Sequence, residues 1–257
     1  LLDFREPAKR LFNQGMILGE DHEKMSKSRG NVVNPDQLVK KYGTDTVRAY
    51  LMFLGPWDAG ASWNPHGIEG LARFFKGVWT LCHMEEKQTA VPTPYTEKKL
   101  RKTLHQTINK VSEDLQYFRF NTAIAAVMAF RNVLKAEAEA SGSEVWSECL
   151  EGMLLMLAPI APHITEELWQ KLKPGSGSIH LQPWPEYDEA LATEDLITLV
   201  VQVNGKVRDR LEMPVGTSKE EAERLALAAP KVQTYLDGRQ IHKVIVVPER
   251  LVNIVCG

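Results

Sequence analysis

Between positions 24 and 31 the chain reads Lys24-Met25-Ser26-Lys27-Ser28-Arg29-Gly30-Asn31. Two lysines and an arginine alternate with small hydroxyl residues, and Gly30 leaves the backbone free to bend. Ammonium groups neutralise phosphate oxygens, while serine hydroxyls and backbone N–H groups supply directed hydrogen bonds. This set is equipped to hold a polyphosphate while charge shifts within it. An arbitrary Lys/Ser mixture would read instead as a basic, solvated surface loop. The specific order favours the first reading, since a chosen pentapeptide arises by chance about once in 10,000 chains of this length.

Other residues carry weaker signals. Residues 97–135 hold eight Lys or Arg against three acids, whereas residues 144–195 hold two Lys against ten. The first stretch suits phosphates and the second repels them, though solvated helix faces give the same pattern. Within the basic stretch, Lys98, Arg101 and Lys102 can share a helix surface, with Lys99 turned aside. The acidic helices over 144–171 are then expected to lie away from the nucleic acid. Lys206, Arg208 and Arg210 alternate along a predicted strand, so all three are expected on one face. That face is either solvated or laid on a phosphate backbone. Arg48 is either a structural ion-pair partner or a contact to an RNA stem. His163 stands beside no second ligand, so capping or packing at a helix start outweighs metal binding. Trp57 and Trp63, next to Pro and Gly, read as local core more readily than as base-stacking platforms.

Elements must position these residues. A strand is expected over 14–18, then a polar loop over 19–31. Asn34-Pro35-Asp36 supplies a cap and a first-turn proline for a helix over 37–42, which Gly43 ends. A second helix follows over 44–54. Leu100, Leu104, Ile108, Val111, Leu115 and Phe118 form one apolar stripe at spacings of three and four. Ile124, Val127, Met128 and Leu134 form another, and Val145, Cys149, Met153 and Met156 a wider one, which marks a central helix. Ile164, Leu168 and Leu172 mark a fourth, started after Pro162. Short links imply antiparallel neighbours in a bundle. Farther on, Asn204-Gly205 between β-rich runs over 196–203 and 207–213 is a hairpin signal. A helix begins at Ser218 with Glu221 completing a capping box, is open to interruption at Pro230, and stops at Gly238. Two strands follow over 241–247 and 251–255.

Composition sets the outer bounds. A chain of 257 residues can bury a core and form one to two domains. Charged residues at 25% and hydrophobic ones at 44% exclude disordered and collagen-like classes. The longest apolar stretch, over 153–164, is broken by Pro159 and Pro162 and is too short to span a bilayer, so no membrane association is expected. The first residues lack the pattern of a signal peptide, and the missing initiator Met suggests a natural chain that begins further upstream. Cys82, Cys149 and Cys256 form no C-x-x-C pair, which disfavours a disulfide framework or zinc site and fits a reducing cytoplasm. A net charge of −2 argues against coating nucleic acid by bulk charge, though not against a local basic face.

The pentapeptide Lys24-Met25-Ser26-Lys27-Ser28 resembles, without a mismatch, the second ATP-binding motif of class I aminoacyl-tRNA synthetases. Its flanks, Gln14-Gly15-Met16-Ile17-Leu18 and Gly30-Asn31-Val32-Val33-Asn34-Pro35-Asp36, are similar to bacterial leucyl-tRNA synthetases, as are Gly55-Pro56-Trp57-Asp58 and Trp63. Gly43-Thr44-Asp45-Thr46-Val47-Arg48 resembles the class I segment behind that loop. The run from Ala158 to Trp169 is similar to the helical domain of the leucine, isoleucine, valine and methionine enzymes. Val201-Gln202-Val203-Asn204-Gly205-Lys206-Val207-Arg208 resembles the leucine-specific tail. Only Gly19 to Glu23 separates Leu18 from Lys24, which matches the family form without an inserted domain.

The resemblance implies that Lys24 and Lys27 are catalytic, and that Lys24, Met25, Ser26, Lys27 and Ser28 bind ATP. Lys27 would contact the phosphates directly, Lys24 would assist as the loop closes, and Ser26 and Ser28 would hold the loop. Arg48, Lys98, Arg101, Lys102, Lys206, Arg208 and Arg210 become the expected tRNA contacts. ATP with Mg2+ is expected as a substrate of the whole enzyme, with leucine and tRNA(Leu), and no protein-bound metal. The implied fold is mixed and mainly α. Residues 1–60 would be the end of a catalytic domain, with the loop and an α/β stem-contact segment. Residues 61–173 would be an antiparallel helical bundle of anticodon-binding type, 174–195 a linker, and 196–257 a ββαββ tRNA-binding domain. No His-x-Gly-His motif, nucleotide-binding strand–turn–helix or editing domain is found. The chain is therefore expected to be inactive alone: a truncated form, or one polypeptide of a split enzyme completed by the N-terminal catalytic portion in trans. The alternatives are a stand-alone tRNA-binding or assembly module with a vestigial loop, and a phosphate-binding enzyme unrelated to tRNA.

Overall fold

The computed structural model describes residues 3, 8–84, 92–193, 196–236 and 239–257, in two units, Leu1–Ala192 and Thr193–Gly257. In the first unit, strand β1 (Ile17–Leu18) pairs in parallel with β2 (Ala61–Ser62), with Ile17 opposite Ala61 and Leu18 opposite Ser62. Between them run helices α1 (Pro35–Tyr42) and α2 (Thr44–Phe53). The Asn34 side chain accepts from the Asp36 N–H at 2.9 Å and so starts α1 two residues before the expected position. Gly43, at φ +86, separates α1 from α2, a conformation that favours glycine. The strand expected over 14–18 is reduced to its last two residues.

Five helices follow: α3 (Gly67–Cys82), α4 (Pro94–Gln116), α5 (Phe120–Ala136), α6 (Glu144–Leu157) and α7 (Pro162–Leu172), with short α8 (Glu189–Ala192) beyond them. Their apolar stripes meet in one core. Leu100, Leu104, Ile108 and Val111 of α4 are buried with Ile124, Val127 and Leu134 of α5 and Leu168 of α7. Helix α6 is buried on most of its circumference, from Val145 and Trp146 through Met153, Leu154, Met156 and Leu157. Gly152 permits that central position, because a Cβ there would lie 2.6 Å from Leu104 Cδ1. The expected stripe on α4 overreaches at one end. Helix α4 stops at Gln116, and Phe118 takes a left-handed φ of +58 in the turn to α5. Fully buried Asp114 anchors that turn, taking Arg119 Nε at 2.8 Å and Lys110 Nζ at 2.8 Å.

The second unit is a four-stranded sheet with two helices. Strands β3 (Leu196–Val203), β4 (Lys206–Pro214), β5 (Ile241–Val247) and β6 (Leu251–Cys256) lie in the order β4-β3-β6-β5, with β3 and β6 parallel and the other pairs antiparallel. Asn204 and Gly205 turn the hairpin at φ +50 and +77, and Asn204 exchanges hydrogen bonds with the Cys256 backbone. Pro230 splits the expected single helix into α9 (Lys219–Ala228) and α10 (Pro230–Leu236). Ser218 caps α9 by accepting from the Glu221 N–H, but the Glu221 carboxylate turns to Arg224, so only half of the capping box forms. The stop assigned to Gly238 lies outside the described residues. Among the described residues no helix is long and apolar enough to cross a membrane.

Candidate functional site

The Lys24–Ser28 loop is rooted in the two short strands. Trp63 N–H donates to Leu18 O at 2.9 Å, and Ala61 N–H to Met16 O at 3.3 Å. Gly15 and Gly60 make this approach possible, since a Cβ on Gly60 would lie 2.2 Å from Met16 O and one on Gly15 would lie 2.0 Å from Gly60 N. The chain then doubles back. Lys24 bridges to Leu18, Gly19 N–H donates to Glu23 O at 2.8 Å, and His22 closes the turn at φ +60. His22 Nδ1 also meets Ser62 Oγ of β2 at 2.7 Å.

Asn31 gathers the loop from its far side. Its Oδ1 accepts from Ser26 N–H at 2.8 Å, and its Nδ2 donates to Asp21 Oδ2 at 3.0 Å, Asp21 Oδ1 at 3.2 Å and Lys24 O at 3.4 Å. Ser26 and Ser28 hydroxyls share a hydrogen bond of 2.7 Å, and Arg29 pairs with Glu23 at 2.9 Å. The Glu23 N–H holds the Asp21 carboxyl below its ordinary range, with help from the Asn31 amide and the Arg29 charge. Half-buried Met25 packs against the core of the first unit. Lys24 and Lys27 are exposed, and among the described residues neither forms an ion pair. Asp21 and Glu23 are therefore turned to Asn31 and Arg29, and two ammonium groups stay available to an anion.

The helix behind the loop is tied to the bundle by Asp45 of α2, which is 9% exposed. Its Oδ2 accepts from Ile164 N–H at 2.7 Å and its Oδ1 from His163 Nδ1 at 2.8 Å. His163 thus sits at a helix start that Asp45 caps across the fold. Arg48 donates to the carbonyls of Ile160 at 3.4 Å and Pro159 at 3.3 Å, so its partners are backbone carbonyls, not the carboxylate of an ion pair. Trp63 is buried edge-on to Tyr50, and Trp57 stands edge-on to Phe120. Burial pushes the Cys82 and Cys149 thiols up to about 12, which leaves them inert as nucleophiles.

The basic residues expected to act together are dispersed. On α4, Arg101 Nε is engaged by Glu148 of α6 at 3.0 Å, and Lys99 by Glu137 at 3.0 Å. Arg101 therefore faces the acidic helix that was expected to lie elsewhere. Lys98 is exposed and Lys102 half-buried. On β4 the alternation fails for a definite reason. Val201 pairs with Asp209 while Gln202 pairs with Val207, so Arg208 is an extra residue in a β-bulge. Paired residues share a face. Lys206 is opposite buried Val203 and thus on the helix-covered face, where Arg208 also stacks over Tyr235 of α10 at 4.0 Å. Arg210 pairs with Val200 on the other face. The expected three-cation stripe does not exist.

Sequence reading did not single out Asp21, Asn31 or Asp45 as functional. Asp21 and Asn31 are ten positions apart in a loop, and Asp45 acts on a helix 119 positions away. No periodicity connects such pairs.

Comparison with known proteins agrees with the loop. A family model described as tRNA synthetases class I (I, L, M and V) matches residues 2–62, and one described as the anticodon-binding domain of tRNA ligase matches residues 97–223. The second match runs past Ala192 into the second unit. The leucine–tRNA ligase of Dehalococcoides mccartyi is 51% identical over 99% of this chain, and that of Rubrobacter xylanophilus 49% identical over 99%. The chain spans 31% of the length of each. Among solved structures, the leucyl-tRNA synthetase of Agrobacterium radiobacter K84, in a ternary complex with tRNA and LeuAMS, matches 99% of this chain and 34% of its own, with a TM-score of 0.67 and 32% identity. With near-complete coverage at about half identity, the chain belongs to the leucyl-tRNA synthetase family of class I aminoacyl-tRNA synthetases.

Proposed function

We propose that this chain is the C-terminal part of a leucine–tRNA ligase and contributes the loop that holds the ATP phosphates, together with tRNA-binding surfaces. The observation that carries the reading is the pair of exposed ammonium groups of Lys24 and Lys27, without an ion-pair partner among the described residues, on a loop where Asp21 and Glu23 are already engaged. Leucine would attack the α-phosphorus through its carboxylate, and pyrophosphate would leave as leucyl-adenylate forms. Charge grows on the departing pyrophosphate, so fixed cations there stabilise the transition state more than the ground state. Lys27, at the tip of the turn, is assigned the direct phosphate contact. Lys24 assists, and Ser26 and Ser28 brace the loop around Met25. The loop's two ammonium groups and hydroxyls suit ATP phosphates, and Mg2+ is expected to arrive with the nucleotide. The leucine pocket and the transfer of leucine to tRNA(Leu) belong to the remainder of the enzyme.

For tRNA we retain Arg48, Lys98, Lys102, Lys206, Arg208 and Arg210 as contacts of unequal weight, and place Arg101 last because Glu148 holds it. Exposed Lys98, Lys206 and Arg210 come first. The three-domain division at about 60, 173 and 195 is kept as a functional reading. A cytoplasmic location fits three buried, unpaired cysteines. A second reading, a tRNA-binding module with a vestigial loop, is favoured by the anticodon-binding-domain match over residues 97–223. Exchanging this chain for the matching third of the D. mccartyi enzyme separates the two. Leucine-dependent ATP–pyrophosphate exchange by the chimera supports the first reading, and tRNA binding without exchange supports the second.

A further inference from the structure

We propose that Asn31 is a positioning residue for ATP activation: with Asp21 it forms a clamp that fixes Lys24 and Lys27 relative to one another. The inference rests on the synthetase reading above and adds a device to it. The Asn31 side chain touches the pentapeptide at two points, Lys24 O and Ser26 N–H, while its amide is itself oriented by both Asp21 oxygens. An amide suits this place because it accepts and donates at once. An aspartate at position 31 would keep the bond to Ser26 but set two carboxylates against each other.

The pocket for the clamp is built into the backbone. Gly19 is buried, and a Cβ there would lie 2.5 Å from Asp21 Oδ1 and 3.1 Å from Asn31 Nδ2. Beyond the clamp the chain has little freedom. Arg29 N–H returns to Ser26 O at 3.1 Å and Gly30 N–H to Lys27 O at 3.3 Å, with Gly30 at φ +70. Lys27 therefore sits on a tight turn whose two ends, Ser26 and Asn31, are joined by a hydrogen bond. The flexible lysine side chains have no other fixed reference, since neither has an ion-pair partner among the described residues. Loss of the clamp displaces charges that must meet a transition state, where an error of about 1 Å costs on the order of 100-fold in rate.

The test uses Asn31→Asp, Asp21→Asn and the double exchange, which restores one donor facing one acceptor. Two readouts are needed. Amide hydrogen exchange on the chain as it stands should rise at Ser26 in Asn31→Asp and recover in the double variant, with the α6 amides unchanged throughout. In the chimera with the D. mccartyi enzyme, Asn31→Asp should lower kcat for ATP–pyrophosphate exchange by about 10- to 100-fold at nearly unchanged leucine KM, and the double variant should recover most of it. Unchanged exchange at Ser26 would show that no clamp operates. A loosened loop with kcat intact would show that the clamp does not position the lysines. If the unmodified chimera failed to activate leucine while Ser26 still responded, the synthetase reading would fall and the clamp's catalytic role with it.

Discussion

Asp45 makes a quantitative prediction about how the loop-bearing segment is held on the bundle. Its carboxylate lies in the first turn of α2 and also reaches the start of α7, where Ala161 supplies no side-chain cap. One buried anion therefore serves two helix N-termini, where negative charge is favoured. Asp45→Ala removes a charge-assisted bond to Ile164 N–H and the bond to His163, and leaves a partly buried donor without its partner. Hydrogen bonds to charged groups contribute about 1.5–3 kcal/mol, and a helix-terminus charge about 0.3–1 kcal/mol. Because these contributions overlap, the expected loss is about 2–4 kcal/mol. In a unit of this size that lowers Tm by roughly 5–15 °C. Asp45→Asn keeps an acceptor for Ile164 and should lose about half as much. All six tryptophans lie within the first unit, so tryptophan fluorescence during urea unfolding reports on that unit alone. A loss below about 0.5 kcal/mol for Asp45→Ala would refute the cross-fold cap.

Gly60→Ala should destabilise the first unit by more than about 1 kcal/mol and speed hydrogen exchange at Ala61 and Trp63, because the new Cβ meets Met16 O at 2.2 Å with φ at +71; unchanged exchange would mean that the strand pair does not need this glycine. Asp21 titrates below its ordinary value of 3.8, so its ionised form is favoured by folding and the clamp is fully made above that pH. As pH falls below 3.8 the contact is lost, and the Asn31 side-chain NH2 resonance should shift with a midpoint under 3.8; a midpoint at or above it would contradict the bonding described. In a salt titration of tRNA binding, replacing Lys206 and Arg210 by Ala should flatten the slope by up to roughly one and a half units, while Arg101→Ala should leave it nearly unchanged. An equal effect from Arg101→Ala would show that its pair with Glu148 opens on the RNA.

Local rules served well where the answer is local. The Asn34 cap, the Asn204-Gly205 turn and the apolar stripes of α4 and α6 all follow from residue type and spacing, and the structure carries them except at Phe118, which lies beyond the end of α4. The Lys24–Ser28 loop was legible by its order. What failed required information from elsewhere in the chain. The bulge at Arg208 depends on register against β3, and a single extra residue reassigns the faces of Lys206 and Arg210. Arg101 was read from the charges of α4 alone, although its partner Glu148 comes from α6. The two-residue β2 is too short to give a periodic signal, the strand expected over 14–18 keeps only its last two residues, and α3 was not delimited within the helical region.

The central claim is that Lys27 stabilises charge developing on the ATP phosphates. Its most direct test is pre-steady-state leucyl-adenylate formation by the chimera that carries this chain, compared with the same chimera bearing Lys27→Ala. Losing one preorganised charge contact to the transition state should slow adenylate formation by about 10²–10³-fold, while the dissociation constant for leucine stays nearly constant. A change in rate of less than about threefold would contradict the assigned role.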